Sequence, residues 1–193
     1  FDTSLLAERP APAGPVVFGY LGALSREKGV EDLVRAFASL PSDLGCRLLM
    51  AGRGVDAFVS SMRALSESLC PGRIEWLGHV PPSKIFQSVD VVVVPSIWHE
   101  PQSRVLIEAA TYGVPVFAAR TGGSPEIVEG KGTGWCYDPK QPSQLAALMA
   151  DAANSGAALW RERLPQLFYG LKEFRGTAED TQYYIQLEQI GRA

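Results

Sequence analysis

Cysteine and histidine are scarce. Three cysteines, Cys46, Cys70 and Cys136, stand far apart with no Cys-x-x-Cys pair, and the two histidines are His79 and His99. That set argues against a disulfide framework and zinc-ligand spacing, and it excludes a His-rich metal site. It fits a reducing compartment, so a cytoplasmic location is expected. Positive charge is not in excess: 18 Lys+Arg face 21 Asp+Glu, for a formal net charge of -3. Broad nucleic-acid binding leans on excess Lys and Arg, so no nucleic-acid partner is expected, although a local basic site is compatible with the count. Long apolar runs are missing as well. The valine run Val91–Val94 is far below the ~20 residues a membrane helix needs, and no transmembrane segment is expected. The first residue is Phe1, and no basic stretch followed by an apolar one comes after it, so a signal peptide is not expected.

The 193 residues are 46% hydrophobic and 20% charged. This is a globular composition with enough chain to bury a core. Residues 1–15 hold three prolines among small and charged residues and read as a linker, which implies a piece of a longer protein. From residue 16 short apolar runs alternate with helical patterns. The strand-like runs are 16–21, 46–50, 73–77, 89–94, 114–118 and 135–137. Between them, Val30, Leu33, Val34, Phe37 and Leu40, then Phe58, Met62, Leu65 and Leu69, recur at helical spacing. Shorter helices are expected at 83–88, 103–112 and 124–129. Six β-α alternations with short connections predict a doubly wound, Rossmann-like parallel sheet over 16–155. Residues 156–193 read as extra C-terminal helices, over 157–171 and again after the capping signal Thr177-Ala-Glu-Asp180.

Ligands of such folds sit beyond the carboxyl ends of the strands. The loop after the fourth strand leads into Glu100-Pro-Gln-Ser-Arg-Val-Leu-Ile-Glu108. Glu108 lies in a helix with apolar residues on most sides, where a carboxylate is costly unless paired. Ser103 is placed to cap that helix, whose free N–H groups suit an anion. Glu108 either pairs with an internal arginine or, with Glu100, accepts hydrogen bonds from ligand hydroxyls. The first post-strand loop, Gly22-Ala-Leu-Ser-Arg-Glu-Lys-Gly29, offers Arg26 and Lys28 before a helix. It is either a diphosphate cradle or a solvated loop. Gly52-Arg-Gly-Val-Asp-Ala57, with Glu75 18 residues beyond, admits a dinucleotide fingerprint. The alternatives are therefore an NAD-dependent oxidoreductase or simply a tight turn near a nucleotide. Arg120-Thr-Gly-Gly-Ser-Pro-Glu126 brings adjacent glycines to another helix start, with or without a ligand. His79 and His99 read as structural or solvated.

Taken in order, these segments resemble the C-terminal donor-binding domain of a GT-B class retaining glycosyltransferase, family 4, group 1 type. The matching stretches are Phe18-Gly-Tyr-Leu-Gly22 through Lys28-Gly29, Leu49-Met-Ala-Gly-Arg-Gly54, Trp76-Leu-Gly78 through Pro95-Ser96, and Glu100 to Glu108, continued by Gly122-Gly-x-Pro-Glu126. Two departures stand out: Ala23 replaces an arginine of the first loop, and Gln102-Ser103 replaces Phe-Gly. The resemblance implies donor transfer from a nucleotide-diphospho sugar, UDP or GDP before other bases, with no cofactor and no metal ligands. It implies that Lys28, with Gly22 and Arg26, holds the diphosphate and that Glu108 binds ribose. Glu100 would contact the transferred sugar, N–H groups at Gln102 and Ser103 the phosphate, and Gly52, Gly54 and Gly78 the base. Glu100 and Lys28 are the implied catalytic pair. The implied partner is a missing N-terminal domain of the same protein, with peripheral membrane attachment of the whole left open. A non-catalytic nucleotide-sugar-binding domain stays as a further alternative.

Overall fold

The computed structural model describes residues 14–99, 103–130 and 133–162. Six strands, β1 (Val17–Leu21), β2 (Arg47–Ala51), β3 (Ile74–Gly78), β4 (Val91–Val94), β5 (Val116–Ala119) and β6 (Gly134–Tyr137), form one sheet in the order β3-β2-β1-β4-β5-β6. Every pairing is parallel. The helices are α1 (Val30–Ala38), α2 (Asp56–Leu69), α3 (Pro82–Ser88), α4 (Arg104–Thr111), α5 (Ser124–Val128) and α6 (Pro142–Glu162).

Successive strand residues face opposite sides, and the core divides accordingly. Phe18, Tyr20, Leu48, Met50, Val91, Val93 and Phe117 lie with Leu33 and Phe37 of α1, Met62 of α2 and Leu145 and Met149 of α6. On the other face Leu49, Ala51, Val92, Val94, Val116 and Ala118 meet Ile85 and Phe86 of α3, Leu106 of α4 and Val128 of α5. Both faces are covered, which explains why β4 and β5 are apolar at every position. The strand order reverses between β1 and β4, so the doubly wound expectation holds with its switch point there.

Several boundaries move for local reasons. The fifth strand was expected from Val114, yet Val114 N–H donates to Ala109 O at 2.9 Å and Gly113 N–H to Ala110 O at 3.1 Å. These two bonds close the C-terminus of α4 in a Schellman pattern. Pro115 has no N–H, so the strand begins at Val116. The fourth strand begins two residues late because Asp90 is used otherwise. Its carboxylate accepts from Val17 N–H at 3.0 Å, and its own N–H donates to Val17 O at 2.7 Å. At the C-terminus α6 takes in the start of the expected 157–171 helix, with non-helical backbone at Gly156 (φ 77°, ψ 153°). The rest of the 157–171 helix, the final helix and most of the 1–15 linker lie outside the described residues.

Asp90 thus fixes where β1 begins against β4. Asp90→Ala leaves the Val17 amide without this acceptor in the core and should cost about 1–3 kcal/mol in urea unfolding. Asp90→Asn, which keeps an oxygen there, should cost less.

Candidate functional site

The loops after β1 and β4 flank the switch point, where folds of this kind form their ligand crevice. Across the whole carboxyl edge of the sheet, the post-strand loops are tied to one another in strand order. Gly52 N–H donates to Gly78 O at 2.8 Å, joining the ends of β2 and β3. Gly22 N–H donates to Ala51 O at 3.0 Å and Leu24 N–H to Arg53 O at 2.7 Å, so the ladder of β1 and β2 continues into both loops. A parallel bridge pairs Leu24 with Gly54. Across the switch point, Ile97 and Trp98 N–H both donate to Glu27 O, at 3.0 and 3.2 Å. Thr121 Oγ1 then donates to Ser96 O at 2.8 Å, and Gly122 N–H to His99 Nδ1 at 3.3 Å. Arg120 N–H completes the row on Tyr137 O at 2.8 Å.

This row gives the Gly52-x-Gly54 turn a reason internal to the fold. A Cβ on Gly52 would stand 1.7 Å from Gly22 O, and one on Gly54 2.0 Å from Leu24 O. The glycines admit the neighbouring loop's backbone. They also follow the second strand, whereas a dinucleotide fingerprint follows the first, so the oxidoreductase alternative loses its motif.

Charge is arranged on both walls of the crevice. Lys28 is half-buried, and desolvation holds its ammonium below the usual lysine range. Beside it, hydrogen bonds within the loop, first from its own backbone and then from Ser25, hold the Glu27 carboxyl below the usual carboxylate range. On the other wall α4 begins after Ser103 with an extended cap residue (φ −86°, ψ 118°). The expected side-chain cap is not made. Ser103 is buried, and the first turn instead closes on its carbonyl through Leu106 N–H at 3.1 Å. Glu108 follows one turn later between the buried Ile107 and Ala109. Its partner is not an internal arginine: Arg104, with a side chain 70% exposed, reaches it at 3.5 Å. Burial pushes the Glu108 carboxyl upward and Arg104 only partly offsets this.

Of the expected site residues, Gly22, Gly52, Gly54 and Gly78 are brought together directly, and Lys28 is tied to the post-β4 loop through Glu27. Arg26 is exposed and its carbonyl accepts from Gly29 N–H at 2.9 Å, closing the turn before α1. Glu100 and Gln102 lie outside the described residues. Ala23, at the missing arginine, is exposed, and its carbonyl accepts from the Tyr20 hydroxyl at 2.6 Å. The sequence reads His99 as structural or solvated and gives it no part in the site; its signals were its place in the post-β4 loop and its position next to Glu100. Among the described residues no three His, Cys, Asp or Glu side chains gather into a metal site, and no helix is long and apolar enough to cross a membrane.

The profile of the family described as Glycosyl transferases group 1 matches residues 3–164. This chain belongs to that family. The group 1 chain is 36% identical over 144 residues to a D-inositol 3-phosphate glycosyltransferase of Corynebacterium diphtheriae, covering 70% of this chain and 34% of that protein. It is 35% identical over 136 residues to an uncharacterized glycosyltransferase of Methanocaldococcus jannaschii, covering 66% and 33%. It therefore spans about a third of the length of these curated relatives. Its fold matches the C-terminal domain of the group 1 glycosyl transferase LpcC from Francisella tularensis, at TM-score 0.72 and 21% identity over 92% of this chain and 99% of that one. Anabaena HepE, solved in complex with UDP, shares the fold at TM-score 0.77 and 23% identity, over 98% of this chain and 56% of that one.

The contact geometry of the glycine turn is testable without any ligand. Gly54→Ala in this group 1 chain should destabilise the ligand-free protein by about 1–3 kcal/mol in thermal unfolding, because the added methyl meets backbone. An unchanged midpoint would show that the loops do not need this close approach.

Proposed function

We propose that this chain is the donor-binding half of a glycosyltransferase and takes a nucleotide-diphospho sugar at the β1/β4 switch point. The observation that carries the reading is Glu108, a half-buried carboxylate on α4, the helix that follows β4, whose ion-pair partner among the described residues is the exposed Arg104 at 3.5 Å; Lys28 stands on the loop after β1, the neighbouring strand at the switch point. A desolvated ammonium and an underpartnered carboxylate across one crevice suit a ligand with anionic and hydroxyl groups side by side. Membership in the family supports the same ligand class.

In the transfer step the bond from the sugar's anomeric carbon to the diphosphate oxygen breaks, and its electron pair leaves with the diphosphate. The acceptor's hydroxyl oxygen bonds to that carbon, and its proton goes to the departing diphosphate. Lys28 and the N–H groups opening α4 neutralise the growing charge on the leaving group. Glu108 accepts from ribose hydroxyls, Glu100 from the transferred sugar, and the Gly52, Gly54 and Gly78 turns border the base. Retention at the anomeric carbon rests on the family resemblance. The acceptor binds against protein beyond this chain, of which the longer relatives have room for about two further parts in three. Proximity of the two substrates is worth up to about 7–11 kcal/mol in favourable intramolecular cases, so this chain alone should transfer sugar far more slowly than the whole protein.

Titration calorimetry with UDP-, GDP- and ADP-sugars tests the reading. Glu108→Gln should weaken the nucleotide that binds about ten- to hundredfold, the loss of a charge-assisted hydrogen bond of about 1.5–3 kcal/mol. The same substitution should leave ligand-free stability at neutral pH unchanged or higher. Burial raises the Glu108 carboxyl, so the folded chain holds this proton more tightly than the unfolded chain. Ionised Glu108 therefore costs stability as pH rises from the ordinary 4.5 through the raised value. Affinity unchanged in Glu108→Gln would remove the carboxylate from the site. EDTA should leave nucleotide affinity unchanged, and a strict requirement for Mg²⁺ or Mn²⁺ would contradict neutralisation by Lys28 and α4.

A further inference from the structure

Most of the joints between post-strand loops are backbone to backbone, and truncating a side chain to alanine does not take away their donors or acceptors. The joint between the loops after β4 and β5 differs. Among the described residues it is made by two bonds, each of which uses a side chain. The Thr121 hydroxyl donates to Ser96 O at 2.8 Å in a buried setting. At the exposed rim, His99 Nδ1 accepts from Gly122 N–H at 3.3 Å. An imidazole nitrogen accepts only through its lone pair, so Nδ1 carries no proton in this arrangement and the neutral ring's proton is on Nε2.

We propose that His99 is a positioning residue for the donor, a latch that holds the Gly122-Gly123 turn against the post-β4 loop through an acceptor at Nδ1. The proposal rests on the donor-site reading above, because it assigns the latch a consequence for nucleotide affinity. Three features of the geometry favour a latch over an incidental surface contact. His99 directly precedes Glu100 in sequence. The residue before it, Trp98, is itself anchored through its N–H on Glu27 O at 3.2 Å, so the imidazole springs from fixed backbone. Gly122 has a left-handed φ of 50°, and Ser124 N–H closes the turn on Thr121 O at 3.1 Å. The Gly122 amide therefore points out of a tight turn, and His99 supplies the acceptor it meets. Without the acceptor, the Thr121 bond is the one hydrogen bond among the described residues that still ties the loop after β5 to the loop after β4.

The test compares His99→Ala and His99→Asn in the 193-residue chain, since an asparagine oxygen falls close to the place of Nδ1. Two quantities are read: amide hydrogen exchange at Gly122 and the dissociation constants for UDP, GDP and ADP. His99→Ala should speed Gly122 exchange and weaken the nucleotide that binds, each by about fivefold, one neutral hydrogen bond's worth. His99→Asn should restore both toward the unsubstituted values. Unchanged exchange in His99→Ala overturns the latch. Unchanged exchange with lost affinity also overturns it, by putting the imidazole on the ligand itself. Equal loss in Ala and Asn shows that ring shape, and not an acceptor, is what matters. If none of the three nucleotides binds the unsubstituted chain, the donor-site reading fails, and with it the latch's part in binding. The Gly122 exchange rates still decide whether the latch exists.

Discussion

The row of hydrogen bonds along the carboxyl edge of the sheet is the constraint on which the rest of the crevice depends. A parallel sheet ends in frayed strand termini, and its loops are ordinarily independent. Here the β1 and β2 ladder runs on past the strands to Leu24 and Gly54, and one carbonyl, Glu27 O, receives two amides from the far side of the switch point. Loops joined in this way move together or not at all. Lys28 sits next to that shared carbonyl in sequence, so the cation's place is set by the opposite wall as much as by its own.

Against this fixed frame the charges are left in mild tension. Burial disfavours the ammonium of Lys28 and the carboxylate of Glu108 alike. Arg104 reaches Glu108 only at 3.5 Å and from an exposed position, where such pairs contribute little. Elsewhere the chain pairs its charges closely: the Arg120 guanidinium meets the two oxygens of Glu129 from two nitrogens. Beside such a fork Glu108 is loosely held, and burial leaves its ionised form at some cost in stability.

The architecture was legible because the strands are short, β-branched and regularly spaced, and both faces of the sheet are covered. What escaped reading was decided by competition for backbone N–H groups. Val114 looks like a strand residue, and only the Gly113-Val114-Pro115 sequence betrays that its amide closes α4. Gly52 and Gly54 were read toward a ligand because a glycine pair reports close approach without saying what approaches. Glu108 stood out correctly as a carboxylate among apolar neighbours, although its ion-pair partner lay four residues back on the same helix. His99 was read no further than structural or solvated because one imidazole in an exposed loop carries no pattern. Its meaning depends on Gly122, 23 residues away.

The double bond to Glu27 O has a consequence for chain length. One residue added or removed between Gly22 and Glu27 would displace that carbonyl by roughly 3.3–3.6 Å, more than a hydrogen bond tolerates. It would also throw Leu24 out of step with Gly54. The same holds for the segments from Ala51 to Gly54 and from Pro95 to Trp98. Insertions that enlarge or reshape such a protein are therefore confined to turns at the opposite edge of the sheet, such as Ser42–Leu44 and the turn before β3.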